Sequence, residues 1–315
     1  MKRVRQIDIR HGMTVSELTD EFLKAGVIGA GRVGKAADIV AEMFSNPDYT
    51  VFLAISGPLV PSGLRRVFVH LIGERHIDAL MTNGANIVHD LIESMGEHHY
   101  KGSVNVDDDE LYKKGINRIY DIFVKSGSFI GLEGFVGGIL DDIPKAIREN
   151  APIHELLKEM GSRIEDEDSI LYNAYKHGVP IFCPGIHDSM LGIPFWMYSK
   201  RETLRINPLK DFDKLSDMVY KAEKSGAIIL GGGMPKHHTQ YLHTLRGGLD
   251  AAIQITSARA EDGSLSGAPL RESISWGKLK GEMMEMTSSI WGDVTIIFPL
   301  IIAAAIEKIN KSIYR

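Results

Sequence analysis

The sequence predicts an α/β fold: a doubly wound, mostly parallel sheet with helices on both faces. Short apolar runs at residues 51–55, 76–81, 179–182, 227–230, 251–255 and 294–298 are the first sign. Strands covered on both faces read as continuous apolar runs of this kind, because no alternate residue has to meet water. The second sign is that glycine or polar residues follow each run. The third is helical spacing between the runs, at residues 14–24, 35–43, 86–94, 167–177, 215–224 and 300–308. Strand and helix in alternation give a parallel sheet. Residues 94–111, with EHHYKGSVNVDDDEL, read as an exposed excursion, and no repeat, linker or composition shift marks a boundary. One domain spanning 1–315 is therefore expected.

Composition narrows the function classes. The 315 residues suffice for a core without covalent staples, and a single cysteine, Cys183, rules out an intrachain disulfide. A reducing, cytoplasmic setting is expected. The stretch 294–306 is too short to span a bilayer and reads as a strand leading into a buried helix, so no membrane partner is expected. With 36 Lys and Arg against 41 Asp and Glu, the net charge of −5 gives no electrostatic footing for nucleic acid. It suits a cationic ligand or a basic partner better.

The stretch VIGAGRVG contains Gly29, Gly31 and Gly34 in the G-x-G-x-x-G spacing of a dinucleotide-binding turn. That motif works when a strand leads into the first glycine and a helix N-terminus follows the last. Here MTVSELTDEFLKAG precedes it, where Thr14 or Ser16 can cap a helix whose apolar face is Val15, Leu18, Phe22 and Leu23, and Gly26 sits where that helix should stop. A connection bending one helix into the next is the expected structure, and an ordinary reductase built on these glycines is the weaker reading.

Two later stretches carry more chemistry. AIILGGGMPKHH places three glycines, then Lys236, His237 and His238, at a strand's carboxyl end, where open α/β sheets bind ligands. A histidine there can move protons near neutral pH, although two surface histidines on a loop would read the same. EDGSLSGAPLRESISWGKLK sets Glu272, Trp276 and Lys278 within seven positions. A lysine desolvated beside tryptophan and glycine gains neutral form and can make imines, while an ordinary surface lysine is the plainer alternative.

Together with DGSLSG (262–267), GGGMPKHH (231–238), KGINRI (114–119), SWGK (275–278) and GDVTIIFPL (292–300), the chain resembles the deoxyhypusine synthase family over nearly its whole length. The short N-terminus and GANIVHDL are similar to the archaeal branch or its bacterial relatives. The resemblance implies a Rossmann-like sheet, NAD as cofactor, spermidine as donor and translation initiation factor 5A as acceptor. A four-carbon aminobutyl piece would pass through an imine on an enzyme lysine. It also implies a homotetramer with active sites between paired subunits.

Carried residue by residue, the resemblance makes Lys278 the imine-forming lysine and His237 the acceptor of the amine proton. Trp276 matches the aromatic along the polyamine, and Glu272 a carboxylate on one of its nitrogens. Gly263 and Ser264 join the substrate site, with His89 as a substitute partner for the polyamine. No metal is implied. NAD would meet dispersed strand-end residues: Ser56, Gly57, Ser62, Thr82, Asn83, Gly84, Asp188, Ser257, Ala258, Asp293 and Val294. Asp188 and Asp293 can accept ribose hydroxyls, whereas the small residues let the cofactor approach the backbone.

The chain also departs from the family pattern. TNGAN, Val88 and His89 stand where TTAGG and two glutamates are usual; Ile193 replaces an aspartate after Asp188, and Leu265 is apolar where some relatives carry an acid. Losing carboxylates should retune a site for a trication. The rival reading is therefore a homospermidine synthase-like enzyme that moves the same group to a diamine such as putrescine. A non-catalytic polyamine- or NAD-binding relative is the alternative from another class.

Overall fold

A computed structural model describes residues 1–313. In chain order the elements are α1 (Val15–Ala25), α2 (Ile28–Ser45), β1 (Tyr49–Ile55), α3 (Arg65–Gly73), β2 (Ala79–Thr82), α4 (Gly84–Ser94), β3 (Tyr100–Lys101), α5 (Asp108–Lys113), β4 (Ile116–Ile119), β5 (Ile122–Lys125) and α6 (Ser126–Asp142). There follow α7 (Lys145–Arg148), α8 (Ile153–Gly161), α9 (Ile170–His177), β6 (Ile181–Phe182), α10 (Gly192–Arg201), α11 (Asp211–Lys221), β7 (Lys224–Leu230), α12 (Gly233–His243), β8 (Ala251–Thr256), β9 (Thr287–Trp291) and α13 (Val294–Ile313). The chain divides into two compact units, one of residues 1–55, 76–81 and 214–315, the other of residues 56–75 and 82–213.

In the first unit strands lie side by side in the order β2-β1-β7-β8-β9, and the β1–β7, β7–β8 and β8–β9 pairs are parallel. Val51 registers with Gly226 and Phe52 with Ala227, so each pair shares a face. A side chain at Gly226 would meet Met43 of α2, while Phe52 meets the edge of His243 of α12. Opposite faces of the sheet thus carry α2 and α12. That is the doubly wound arrangement expected, and it explains why residues 51–55, 227–230 and 251–255 are fully buried.

The glycine-rich stretch behaves as its context suggests. Thr14 and Glu17 form a capping box that starts α1, and Gly26 ends it in the left-handed conformation at φ 69°. No strand precedes Gly29. Gly29, Gly31 and Gly34 lie inside α2, a refinement of the expected bend, since Gly26 makes the turn. Gly34 serves helix packing: a Cβ there would lie 2.5 Å from the Leu23 nitrogen and 2.6 Å from the Thr19 carbonyl oxygen.

The run at 294–298 is not a strand. Asp293 accepts hydrogen bonds from the Thr295 backbone N–H and hydroxyl, each at 2.7 Å, and starts α13, so the strand is the preceding TSSIW segment of β9. Five apolar residues cannot distinguish a buried strand from a buried helix; the Asp-x-Thr cap could have done so. No helix among the described residues is long and apolar enough to cross a membrane.

The second unit is mainly helical and carries an antiparallel sheet in the order β3-β5-β4, built partly from the stretch read as an excursion. Its polar centre is Asp90 of α4. Asp90 Oδ1 takes Arg65 Nε at 2.7 Å and the Ile170 N–H at 3.0 Å; Oδ2 takes the Ser169 hydroxyl at 2.9 Å and the Leu171 N–H at 3.1 Å. One buried carboxylate thus caps α9 and holds α3, and the charge is affordable because every bond to it is made.

The contact at Gly34 yields a stability prediction. Gly34→Ala should destabilise the fold by about 1–3 kcal/mol, because backbone on the facing helix cannot yield to the new methyl. Urea denaturation followed by circular dichroism would measure it, and Gly29→Ala, with open space around it, is the matched control.

Candidate functional site

The floor of the site is laid by Gly231–Gly233, the turn from β7 into α12. A Cβ on Gly232 would overlap Ser266, whose hydroxyl accepts the Gly233 N–H at 3.0 Å, so the 264–268 segment packs directly on the helix start. Beneath it, Lys236 is fully buried and donates to Gln254 Oε1 at 3.0 Å and to the carbonyls of Leu265 and Ala268 at 2.8 and 2.6 Å. Gln254 completes the knot by donating to the Gly231 and Ser266 carbonyls at 3.2 and 2.9 Å. Burial pushes the Lys236 ammonium down to about 8, with Glu272 opposing and Lys278 adding to the shift.

The wall comes from the 3-10 turn Leu270–Ile274 and the residues after it. Gly277, at φ 65°, donates to the Ile274 carbonyl at 3.0 Å while the Lys278 N–H reaches Ser273 at 3.0 Å. That pair is the Schellman arrangement, which needs a left-handed residue at its turning point. Lys278 then docks before β8: its carbonyl accepts the Leu249 N–H, and the Lys280 N–H returns to the Leu249 carbonyl, both at 3.1 Å. The Lys280 ammonium pairs with buried Asp250 at 2.5 Å.

These constraints bring His237, Gly263, Glu272, Trp276 and Lys278 around one pocket of about 260 Å³, together with Leu265, Ala268 and Ser273. The Lys278 ammonium lies 5.3 Å from the centre of the Trp276 ring, within cation–π range, and Trp276 is 66% exposed. His237 stacks on Tyr241 one helical turn on, with centroids 5.5 Å apart. Burial, then the charge of Lys278, holds the His237 imidazole below its usual range, so it is neutral and able to accept a proton near pH 7. An ammonium, a carboxylate, a neutral imidazole and an exposed aromatic face thus converge on one pocket. They suit a cationic substrate with an aliphatic stem and acid–base chemistry on its nitrogen.

Other sequence candidates fall elsewhere. Ser264 is exposed beside Gly263 and does not line this pocket. His89 belongs to the second unit, where it lines a separate pocket of about 290 Å³. Ser257, Ala258, Asp293 and Val294 follow β8 and β9 in the first unit; Ser56, Gly57, Ser62, Thr82, Asn83, Gly84 and Asp188 lie in the second. Several already have structural duties. The Ser62 hydroxyl donates to the Pro58 carbonyl at 2.6 Å, Asn83 caps α4, and a Cβ on Gly84 would strike Ser189. Asp293 engages Oδ1 in its cap and leaves Oδ2 without a partner among the described residues.

Comparison with known proteins settles the family. The model of the family described as "Deoxyhypusine synthase" matches residues 17–305. The chain belongs to the deoxyhypusine synthase family. It is 43% identical over 306 residues to a Methanothermobacter thermautotrophicus protein named "Probable deoxyhypusine synthase", covering 97% of this chain and 98% of that one. It is 38% identical to a "Probable deoxyhypusine synthase 1" of Methanosarcina mazei, over 98% and 96% of the two chains. A crystal structure from Entamoeba histolytica named for the same family shares the fold at a TM-score of 0.62 and 21% identity, covering 94% of each chain. Membership makes the chain an enzyme of the transferase class and implies aminobutyl transfer from spermidine to translation initiation factor 5A.

Nothing in the sequence marks a role for Lys236, and the signal for Tyr241 is its i,i+4 spacing from His237. Nor does the sequence show what stands behind His89. His99 Nε2 meets His89 Nδ1 at 2.9 Å, and His99 Nδ1 meets Glu93 Oε1 at 2.6 Å. His99 came from the stretch read as an excursion, ten residues from its partner.

Burial and the neighbouring His99 lower His89 to about 4, and burial lowers His243 to about 4. A histidine with a depressed folded pKa binds fewer protons folded than unfolded, so stability present above the unfolded value near 6.5 is lost as pH falls toward 4. Each group contributes on the order of 1 kcal/mol per pH unit in that window. Urea midpoints should therefore fall between pH 7 and pH 5, and His243→Phe should flatten that slope.

Proposed function

We propose that this family member is the NAD-dependent aminobutyl transferase working through an imine on Lys278, with a lysine of translation initiation factor 5A as acceptor. The observation that carries the proposal is the convergence of Lys278, His237, Glu272 and Trp276, distant in sequence, on one pocket. Glu272 would hold an ammonium of spermidine, and Trp276 would lie along its methylenes. His237 takes the proton released when the substrate amine is oxidised. Lys278 Nζ attacks the oxidised carbon, diaminopropane leaves, and the four-carbon piece stays on Lys278 until the acceptor lysine displaces it.

NAD would supply a reversible hydride sink, so that oxidation at the start and reduction at the end cancel. In the first unit Ser257, Ala258, Asp293 and Val294 are the residues proposed for it; in the second, taken by itself, Ser56, Gly57, Ser62, Thr82, Asn83, Gly84 and Asp188 are. The position of Ser56, Gly57, Thr82, Asn83, Gly84, Ser257, Ala258, Asp293 and Val294 at or just after strand carboxyl ends suits this role, as does the open Oδ2 of Asp293 for a ribose hydroxyl. Gly263 and Ser264 are proposed for the polyamine in the first unit, and His89 is proposed separately as a polyamine partner in the second. The family's homotetramer, with sites between paired subunits, and a cytoplasmic location complete the reading.

Borohydride trapping tests the imine. Enzyme incubated with spermidine and NAD, then reduced, should carry an aminobutyl adduct on Lys278 by peptide mass spectrometry, and Lys278→Arg should carry none. Absence of the adduct from the unmodified enzyme would refute the mechanism. Product formed with putrescine alone, and none with the acceptor protein, would replace the acceptor assignment by the homospermidine reading favoured by Val88 and His89. Glu272→Gln should raise the KM for spermidine about ten- to a hundredfold, the scale of one lost charge-assisted bond.

A further inference from the structure

Two residues beyond Lys278 the chain meets a buried carboxylate. Asp250, just before β8, donates its own N–H to the Ser225 carbonyl at 2.9 Å and accepts the Ser225 N–H on Oδ2 at 2.8 Å. Backbone and side chain are thus both fastened to the start of β7. Oδ2 also takes Arg246 Nη1 at 2.6 Å, while Arg246 Nη2 donates to the carbonyls of Ala222 and Glu223 at 3.1 and 3.0 Å. Burial would raise the Asp250 carboxyl, but the bonds from Lys280, Arg246 and the Ser225 N–H hold it below its usual range, so it stays charged. Its other oxygen, Oδ1, takes the Lys280 ammonium at 2.5 Å.

The stretch that this pair holds has few other ties. Leu279 meets Leu249 in an isolated parallel bridge, made by the two 3.1 Å backbone bonds that flank it, and the stretch extends no further as a strand. The left-handed Gly277 precedes it, and a 3-10 turn begins at Gly281. Leu279 is buried, and a Cβ on Gly248, at φ 109°, would lie 2.8 Å from its carbonyl carbon, so the bridge depends on that glycine. Two backbone bonds resist sliding only weakly. An ammonium on a carboxylate that is itself fixed resists it more strongly, because a charge-assisted bond is directional and short. The Lys280 and Asp250 side chains are 26% and 8% exposed, so solvent screens the pair far less than it screens a surface pair.

We propose that the Asp250–Lys280 ion pair positions Lys278, setting where its Nζ stands in the pocket. Neither Asp250 nor Lys280 lines that pocket, so both are positioning residues that act through the backbone of Lys278. Without the pair, the 278–280 stretch shifts along Leu249 and carries the Lys278 amine away from the Trp276 face. Glu272 and Trp276 precede the Gly277 turn and keep their places. Binding of the amine substrate is therefore retained while attack by Nζ slows, since attack needs the reacting atoms within a narrow range of distance and angle. The inference rests on the proposed imine at Lys278 and names what holds that lysine in register.

The test uses the full chain with Lys280→Met, Lys280→Arg and, as a surface control, Lys221→Met, which breaks an exposed pair with Asp217. Lys280→Gln takes the place of Lys280→Met if the latter does not fold. Two quantities are measured: the rate at which the borohydride-trapped adduct forms on Lys278 across a range of spermidine concentrations with NAD, and amide hydrogen exchange at Leu249 and Lys280. Lys280→Met should slow adduct formation about ten- to a hundredfold, the scale of an ångström-sized misplacement, with half-saturation by spermidine moved less than about twofold. Exchange at both amides should rise in that variant. Lys280→Arg keeps the charge and should restore rate and protection, and Lys221→Met should change neither. An unaltered rate in Lys280→Met, an equal loss in Lys280→Arg, or a loss seen only as weaker half-saturation would each overturn the proposal. Absence of the adduct from the unmodified chain would refute the transferase reading instead. Exchange would then decide the anchor by itself, and unchanged protection of Leu249 and Lys280 in Lys280→Met would overturn it.

Discussion

A buried ammonium organises the candidate active site. Lys236 has three neutral acceptors: a side-chain amide on β8 and the carbonyls of Leu265 and Ala268. Removing a charge from water is costly, and only a full set of hydrogen bonds makes it tolerable. The same three bonds tie α12, β8 and the 265–268 segment together. Loss of the amine would strand three buried oxygens at about 1–3 kcal/mol each. Burial also depresses the ammonium to about 8, with Lys278 adding to the shift and Glu272 opposing it.

That tie sets the electrostatics above it. The Lys278 ammonium disfavours positive charge on both Lys236 and His237, while Glu272 opposes it at Lys236. His237, held below its usual range by burial and then by that charge, stays neutral, the state a proton acceptor needs. The 264–268 segment can lie this close because Gly232 has no side chain, and Lys278 emerges at its angle because Gly277 turns left-handed. The chemistry of the pocket is therefore bound to backbone geometry two elements away.

Much of this was legible in the sequence, for identifiable reasons. Parallel strands buried on both faces leave unbroken apolar runs, so β1, β7 and β8 could be placed within a few residues. The glycine fingerprint was demoted because α1 announces itself through Thr14 and Gly26. Residues 294–298 were misread because five apolar residues satisfy either period, and only the cap on Asp293 separates them. At the pocket, GGGMPKHH and EDGSLSGAPLRESISWGKLK offered His237, Glu272, Trp276 and Lys278 only as candidates, and the family resemblance gave them their expected roles. Lys236 was quoted without a role because burial of a lysine leaves no trace in sequence. His99 was hidden because its partner is a histidine ten residues earlier, joined only by folding.

Val88 and His89, at positions where the family resemblance leads one to expect glutamates, are physically coherent once the surroundings of His89 are considered. A carboxylate facing Phe129, Val124 and Met190 without a counterion would have to be desolvated, at several kcal/mol, before it attracted anything. A neutral imidazole enters such walls more cheaply, and it still conveys negative charge when its far nitrogen leads to an anion. Glu93 provides that anion one residue removed, held by two histidines and a backbone N–H.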